Sequence, residues 1–492
     1  VATEINIYGS MSRLSGDFPF IEIREATSWL MDGHTFSTAF KRGVWDGRKH
    51  LFNSKTGAFP TGLLKTVEGV LDGADVAYDT VDHRQDPAST VGMQDLSDPR
   101  CIEAFAVEGV EFSGKYSYQL EAARDMVAAK QGIVRIATNG GKTEVACGVT
   151  KYLDIKTLFI VTSKELLYQA RKRFATRLGL PLEEIGIIGD GHWQVGEWVT
   201  ISTLDTLESR LDTKECQRLL KNTELLFIDE CHHVGSETWY TVSTLCDAYY
   251  RFGLSGTPLD RTDGANLRLV AATGDLIIDI PNKYLVDLGV SARANIIFDK
   301  VTEPIIEKGP RYPKVYRQGV VENDQLNDKV IEWTRVCWKA GLSVLVLIEE
   351  IKHGRTLDEK MWTETDEDFI PHQFIWGDES SEVRTNALRE FGERKLPVLI
   401  ASTILDEGVD VPTIDVIICA GSRKSKIRTL QRLGRGLRGD KLIVIEFSNF
   451  CHWFLQDHSL KRYRDYKNEE CFPMFQSAPD EALVRKLWYG TT

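Results

Sequence analysis

Asp229, Glu230, Cys231, His232 and His233 are five consecutive residues, all of types that bind metal ions. They close the apolar run "ELLFID", which predicts a buried strand with the two carboxylates at its carboxyl end, where ligands sit in open α/β sheets. Strand alternation points Asp229 and Glu230 in different directions. Asp229 can then hold the shell of a Mg²⁺ ion while Glu230 orients and deprotonates an attacking water. A zinc site would need Cys231, His232 and His233 to converge on one ion. Adjacent residues of an extended chain diverge, and zinc ligands are usually spaced C-x₂₋₄-C or H-x₃₋₅-H. A small side chain at a strand end is the plainer account of Cys231.

Upstream, "GIVRIATNGGKTEVACGV" runs strand, loop, helix. Glycines let backbone N–H groups approach a phosphate closely, and the following helix adds its positive end. The loop offers Thr138, Asn139, Gly140 and Gly141; Lys142 can reach β- and γ-phosphates, and the Thr143 hydroxyl can ligate Mg²⁺. The G-x-x-x-x-G-K-[ST] pattern is incomplete, because Ile136 fills the first glycine position. Asn139 stands where glycine is frequent, and asparagine tolerates positive φ. A chance Gly-Gly-Lys-Thr turn is the alternative; the flanking strand and helix weigh against it. ATP and Mg²⁺ are therefore the expected cofactors.

Several elements must position these groups. At 492 residues the chain predicts two to four domains. Residues 1–95 read as a small α+β module: "INIYGS" as a strand, "IREATSWLMDG" and "TGLLKTVEGVLDGA" as helices, and a breaker-rich boundary near 82–100. In 96–290, "GIVRIAT", "TLFIVT", "WVTIST", "ELLFID" and "RFGLSG" alternate with helical stretches, the pattern of buried parallel strands. In 291–450 the pattern returns with "SVLVLIE", "HQFIWGD", "LPVLIAST", "DVIICAG" and "KLIVIEF". Residues 451–492 form a less regular tail, in which the basic, aromatic "SLKRYRDYKN" reads equally as a binding stretch or a packed final helix.

Bulk properties narrow the class. A 42% hydrophobic and 27% charged composition fits a soluble globular protein, and a net charge of −12 argues against a generic nucleic-acid coat. Nine cysteines without a C-x-x-C pair favour a reducing, cytoplasmic setting. The N-terminus has no signal pattern, and runs such as "VLVLI" at 344–348 are too short to span a bilayer, so no membrane association is expected. Against that acidic background, residues 422–439 hold seven basic residues and no acid. A solvated helical face is the usual reading of such a run. The embedded Gly434-Arg435 and the tandem-domain setting favour Arg435 and Arg438 as arginine fingers, groups worth ~10³–10⁵ in rate.

Asp-Glu-Cys-His resembles the DExH box of superfamily 2 helicases, and further motifs follow in that family's order. Tyr118-Gln119 resembles the adenine-recognising Q-type motif, although Tyr116 stands where many relatives carry arginine. "IVTSKELLYQ" and "TISTLDTL" resemble strand-contacting motifs, which implies DNA contacts for Thr162, Ser163, Lys164 and Thr203. "LSGTP" resembles the motif coupling ATP state to the nucleic-acid site, with Ser255 and Thr257; His232 and Gln431 are implied in the same coupling. "ASTILDEGVDVP" implies Thr403 near a DNA phosphate and Gly408 and Asp410 near the nucleotide, and "QRLGRGLR" completes the set. The resemblance implies two RecA-like domains with ATP between them, plus a small N-terminal domain.

Within the superfamily the chain is similar to the UvsW-like phage branch-migration and annealing helicases. "FKRGVWDGRKHLFNSKTGAFPTGLL" resembles their N-terminal DNA-binding stretch. Six basic residues against one acid lie between 41 and 65, and phosphate contacts by Lys41, Arg42, Arg48 and Lys49 fit this. Trp45 could stack on a base at a junction or serve as a core aromatic. The expected substrate is forked or branched DNA, the expected state a monomer, with replication or recombination proteins as conceivable partners. The motor subunit of a restriction or defence nuclease, an RNA helicase, and a non-motor DNA-binding protein with a degenerate ATPase remain alternatives.

Overall fold

A computed structural model describes residues 2–88, 101–110, 112–259, 264–362, 369–377, 379–402, 414–421 and 441–490. The chain divides into two units: 1–136 with 141–280, and 137–140 with 281–492.

The first unit opens with β1 (Thr3–Ile7), β2 (Met11–Ser15), β3 (Ser28–Leu30), β4 (Arg48–His50), β5 (Ala58–Pro60) and β6 (Tyr78–Asp82). Four of these form a sheet in the order β5-β2-β1-β6, while β3 and β4 pair as a separate antiparallel ribbon. Alternation in "TEINI" turns Ile5 and Ile7 inward, where they meet Ile23, Val67 and Leu71 from helices Phe20–Ala26 and Leu64–Gly73. "IREATSWLMDG" does not form the single helix expected of it. The helix stops at Ala26, and Trp29 is drawn into β3, paired with Lys49 and covered by the Arg268 guanidinium 5.1 Å from its ring centre.

This module shares its core with the sheet that follows. Ala271, from helix Ala265–Thr273, belongs to the same apolar cluster as Ile5 and Phe59. Gly62 makes the approach possible: a Cβ there would lie 2.1 Å from the Val270 carbonyl oxygen and 2.6 Å from that of Ala271.

The second sheet of this unit contains β7 (Gln131–Ile136), β8 (Thr157–Val161), β9 (Gly186–Gly189), β10 (His192–Gln194), β11 (Val199–Thr203), β12 (Leu225–Asp229), β13 (Tyr250–Ser255) and β14 (Leu276–Ile280). Its order is β10-β9-β11-β8-β12-β13-β7-β14, parallel except for β10. Alternation along β12 divides two cores. Leu226 and Ile228 face one helical layer, while Phe227 lies in register with Phe159 and Phe252, each ring centre 5.9 Å away. Arg251 crosses the first layer, where its buried guanidinium donates to the carbonyls of Ala272 and Cys246 at 3.0 Å and of Ser243 at 2.5 Å.

The second unit carries β15 (Arg293–Val301), β16 (Val344–Leu347), β17 (His372–Ile375), β18 (Val398–Ala401), β19 (Val416–Cys419), β20 (Lys441–Asn449) and β21 (Met474–Gln476). They form one parallel sheet, β17-β18-β16-β19-β20-β15-β21, with an apolar cluster on each face. The C-terminal tail is built into it. β21 extends the sheet along β15, and helix Trp453–Asn468 sends buried Arg462 and Tyr466 onto buried Glu446, both at 2.9 Å. That settles "SLKRYRDYKN" as a packed helix. No helix among the described residues is long and apolar enough to cross a membrane.

Replacing Gly62 by alanine forces backbone against backbone, so Gly62→Ala is expected to cost about 1–3 kcal/mol in chemical denaturation. An unchanged midpoint would show that the module is not seated on helix Ala265–Thr273 as described.

Candidate nucleotide site and nucleic-acid interface

Sheet order brings the chemistry together. β12, β13 and β7 are neighbours, so their carboxyl ends present Asp229 and Glu230, Ser255, and the loop leading to Lys142 along one edge. The loop takes the shape its sequence permits: Asn139 has φ 73° and Gly141 φ 85°. The Gly140 N–H closes a turn onto the Ala137 carbonyl at 3.0 Å, and the Asn139 amide donates to the Val290 carbonyl at 3.2 Å. Gly141 caps helix Lys142–Leu153; a Cβ there would lie 2.2 Å from the Gln119 side-chain nitrogen. Buried Gln119 thus packs against Gly141, and its amide stands 3.4 Å from the hydroxyl of buried Tyr118. Thr138 lies in the loop, and Thr143 lies in the helix's first turn.

That helix is fixed by a group the sequence reading missed. Glu144, buried, is ion-paired with Arg173 and with Arg177 at 2.7 Å, both from helix Lys164–Leu178. Ser163 caps this second helix by accepting from the Leu166 N–H at 3.3 Å.

The Lys142 ammonium lies 3.4 Å from a Glu230 carboxylate oxygen. Burial pulls the lysine pKa down, but the Glu230 and Asp229 charges outweigh it and hold the pKa above its ordinary value. Burial also raises both carboxyls. For Glu230, Lys142 and a hydrogen bond from His232 overcome it and hold the carboxyl well below the usual range. For Asp229, burial and then the Glu230 charge prevail over Lys142, and the carboxyl is pushed up to about 6. The strand alternation expected to separate the two carboxylates ends at Asp229. Glu230 has φ 48°, the left-handed region, at a cost of roughly 1–2 kcal/mol, and both charges act on Lys142.

His232 extends this cluster. Its Nδ1 stands 3.3 Å from Glu230 Oε2 and 3.1 Å from Ser255 Oγ, which accepts from the Thr257 N–H at 3.1 Å. A continuous polar chain therefore runs from the water-orienting candidate Glu230 to the "SGTP" turn. Cys231 turns away from it. Its thiol is buried in the space left by Gly253, where a Cβ would meet the sulfur at 3.0 Å, and burial pushes its pKa well up. His233 rests on the rings of His232 and Trp239. Cys231, His232 and His233 do not converge.

The DNA-contact candidates occupy two regions. Thr162, Ser163 and Lys164 follow β8, and Thr203 ends β11, on the same edge of the sheet. The Lys164 ammonium is 2.5 Å from Asp190, and the Thr203 hydroxyl donates to Thr206 at 2.9 Å. In the N-terminal module Lys41 and Arg42 are exposed. Arg48 instead donates to the Ser28 hydroxyl at 2.9 Å, and Lys49 is paired with Glu237 at 2.6 Å. Trp45 is half-buried, its indole N–H donating to the Arg48 carbonyl at 2.8 Å. Thr403, Gly408, Asp410, Gln431, Arg435 and Arg438 lie outside the described residues.

Sequence comparisons align with this geometry. The profile of the type III restriction enzyme res subunit matches residues 114–260, and that of the helicase conserved C-terminal domain matches 327–440. A DNA 3'-5' translocase XPB2 of Sulfurisphaera tokodaii is 26% identical over 352 residues, 65% of this chain and 78% of the relative. An ATP-dependent DNA helicase uvsW of Enterobacteria phage T4 is 23% identical over 452 residues, 86% of this chain and 85% of the relative. Among solved structures, Saccharomyces cerevisiae Dbp5 bound to RNA and ADP BeF3 matches with a TM-score of 0.55 and 16% identity, covering 82% of this chain and 100% of that one. The last likeness is one of fold; with the two parallel sheets it gives a tandem RecA-like architecture.

The Asp229 shift has a testable sign. The carboxyl pKa lies above its unfolded value of 3.8, so the stability gained by burying it protonated is complete below that pH and is lost as pH rises through about 6. Without nucleotide, Asp229→Asn is therefore expected to stabilise the protein at pH 7.5 by about 1–3 kcal/mol while changing little at pH 4. Denaturation at the two pH values checks this; equal effects at both would contradict it.

Proposed function

Because this chain is an ATP-hydrolysing DNA helicase of superfamily 2, close to the phage UvsW group, we propose that it acts on forked or branched DNA, by unwinding, branch migration or annealing, in phage replication, recombination or repair. The supporting observation is the extent of the likeness to the phage T4 helicase. It reaches over 86% of the chain, more than the span 114–440 bracketed by the two motor profiles.

In this reading the γ-phosphate of ATP competes with Glu230 for Lys142. Once the lysine turns to phosphate, Glu230 is released to orient and deprotonate the attacking water. Thr143 and Asp229 fit an oxygen-ligated divalent cation: a hydroxyl and a carboxylate crowded by a second carboxylate form the hard donor set that Mg²⁺ prefers. When bound, Mg²⁺ would neutralise charge on the phosphates. Gln119 packs against Gly141, and it and Tyr118 are proposed to recognise the base. Gly408 and Asp410 are proposed near the nucleotide, and Arg435 and Arg438 are proposed to meet charge developing on the transferred phosphoryl group.

His232 then carries the change at Glu230 to Ser255 and Thr257, and Gln431 is proposed to take part in the same coupling. Thr162, Ser163, Lys164, Thr203 and Thr403 are proposed to hold one DNA strand, while exposed Lys41 and Arg42 hold duplex phosphates.

Lys142→Ala and Glu230→Gln are each expected to lower DNA-stimulated ATP hydrolysis by about 10²-fold or more and to abolish unwinding. Parallel assays with single-stranded DNA, forked DNA and RNA test the substrate. Forked DNA should stimulate most, and stimulation by RNA alone would overturn the reading.

A further inference from the structure

The ribbon of β3 and β4 carries a loop, residues 31–47, whose apolar residues are divided unusually. Phe36 is 81% exposed and Val44 is 80% exposed; among the described large hydrophobic side chains only Ile305 is as open to solvent. The loop does have an interior. Phe40 meets His34 edge-on with ring centres 4.8 Å apart, and Gly47 sits against both, where a Cβ would lie 3.0–3.1 Å from their atoms. The Met31 N–H closes the loop's base on the Gly47 carbonyl at 2.8 Å. Asp46 accepts from Arg24 at 2.8 Å and approaches His50 at 2.7 Å. The loop is thus braced from within, and Phe36 and Val44 are left outside the brace.

Between them in sequence stand Lys41 and Arg42, exposed and without an ion-pair partner among the described residues. Cations beside exposed apolar groups complement a surface that offers phosphates next to a bare base-pair face. At its other end the ribbon is clamped. Glu237 pairs with Lys49 at 2.6 Å and with Arg268 at 2.8 Å, and Arg268 covers Trp29. Glu237 opens helix Glu237–Leu245, which begins two residues after the turn Cys231–Gly235. The loop is therefore referenced to the frame that holds the catalytic carboxylates.

We propose that loop 31–47 is the strand-separating pin of this helicase: Phe36 and Val44 pack on the terminal base pair at a DNA fork while Lys41 and Arg42 hold the adjoining phosphates. The inference rests on the fork-DNA reading above and adds the element that opens the duplex. Each forward step of the motor drives the duplex end against a fixed apolar tip, and stacking on that tip offsets the loss of base stacking.

The test uses the full chain and a forked DNA with 2-aminopurine at the junction. Phe36→Ser with Val44→Ser removes the tip without touching the loop interior. It is expected to slow fork opening about tenfold and to suppress the rise in 2-aminopurine fluorescence. ATP hydrolysis stimulated by single-stranded DNA should stay within about twofold, and Phe36→Trp should retain fork opening. A double variant that opens forks as fast as the unaltered protein overturns the pin alone. A variant that loses single-strand-stimulated hydrolysis as well overturns it too, by placing the loop in the motor. An unaltered protein that opens no forks overturns both the pin and the reading it rests on.

Discussion

Two carboxylates and one lysine stand half-buried together at the end of β12, and much of the first unit serves to keep that arrangement tolerable. Three charges with only one cation cannot all be satisfied at low dielectric. Glu230 has Lys142 and His232, whereas Asp229 is left with a raised pKa. That imbalance suits a site built to receive phosphate oxygens and a hard cation. Keeping it requires a left-handed Glu230, a glycine at 253 to house Cys231, and a phosphate loop bent at Asn139 and Gly141. None of these is needed for an ordinary strand end; together they keep the charged cluster in place, where we propose that hydrolysis occurs.

The same cluster has two mechanical exits within the first unit. One is the polar chain through His232, Ser255 and Thr257. The other is helix Glu237–Leu245, whose first residue is held by Lys49 of the ribbon and by Arg268. Exposed ion pairs contribute little to stability on their own. Here the pairs accompany a shared apolar core around Ala271 and a close approach at Gly62, so the small N-terminal module is seated on the sheet that bears Asp229 and Glu230.

The parallel strands were legible because buried strands are short unbroken aliphatic runs, and "TLFIV", "LLFID" and "VLVL" need no context to be read as such. The strand–loop–helix around Lys142 and the strand ending at Asp229 were legible for a related reason: apolar runs mark the strands, and Asn139 and Gly141 are residues that tolerate the positive φ the loop adopts. What escaped depends on partners distant in sequence. Trp29 reads as helical until Lys49 and Arg268 are beside it. Lys49 reads as a free phosphate ligand until Glu237 takes it. Alternation does not reveal that Glu230 leaves the strand conformation. The basic, aromatic tail was ambiguous because the partner that buries Arg462 and Tyr466, Glu446, lies on another strand.

The central claim is that hydrolysis at Glu230 is passed on as movement through His232 and Ser255. The most direct measurement is the number of ATP molecules hydrolysed per base pair opened, followed in one reaction for the unaltered protein and for Ser255→Ala. The account predicts that the variant keeps DNA-stimulated hydrolysis within a few-fold, on the order of one lost hydrogen bond, while consuming several times more ATP for each base pair opened. Hydrolysis and opening that fall in equal proportion would contradict it, because Ser255 would then serve the chemistry and not its transmission.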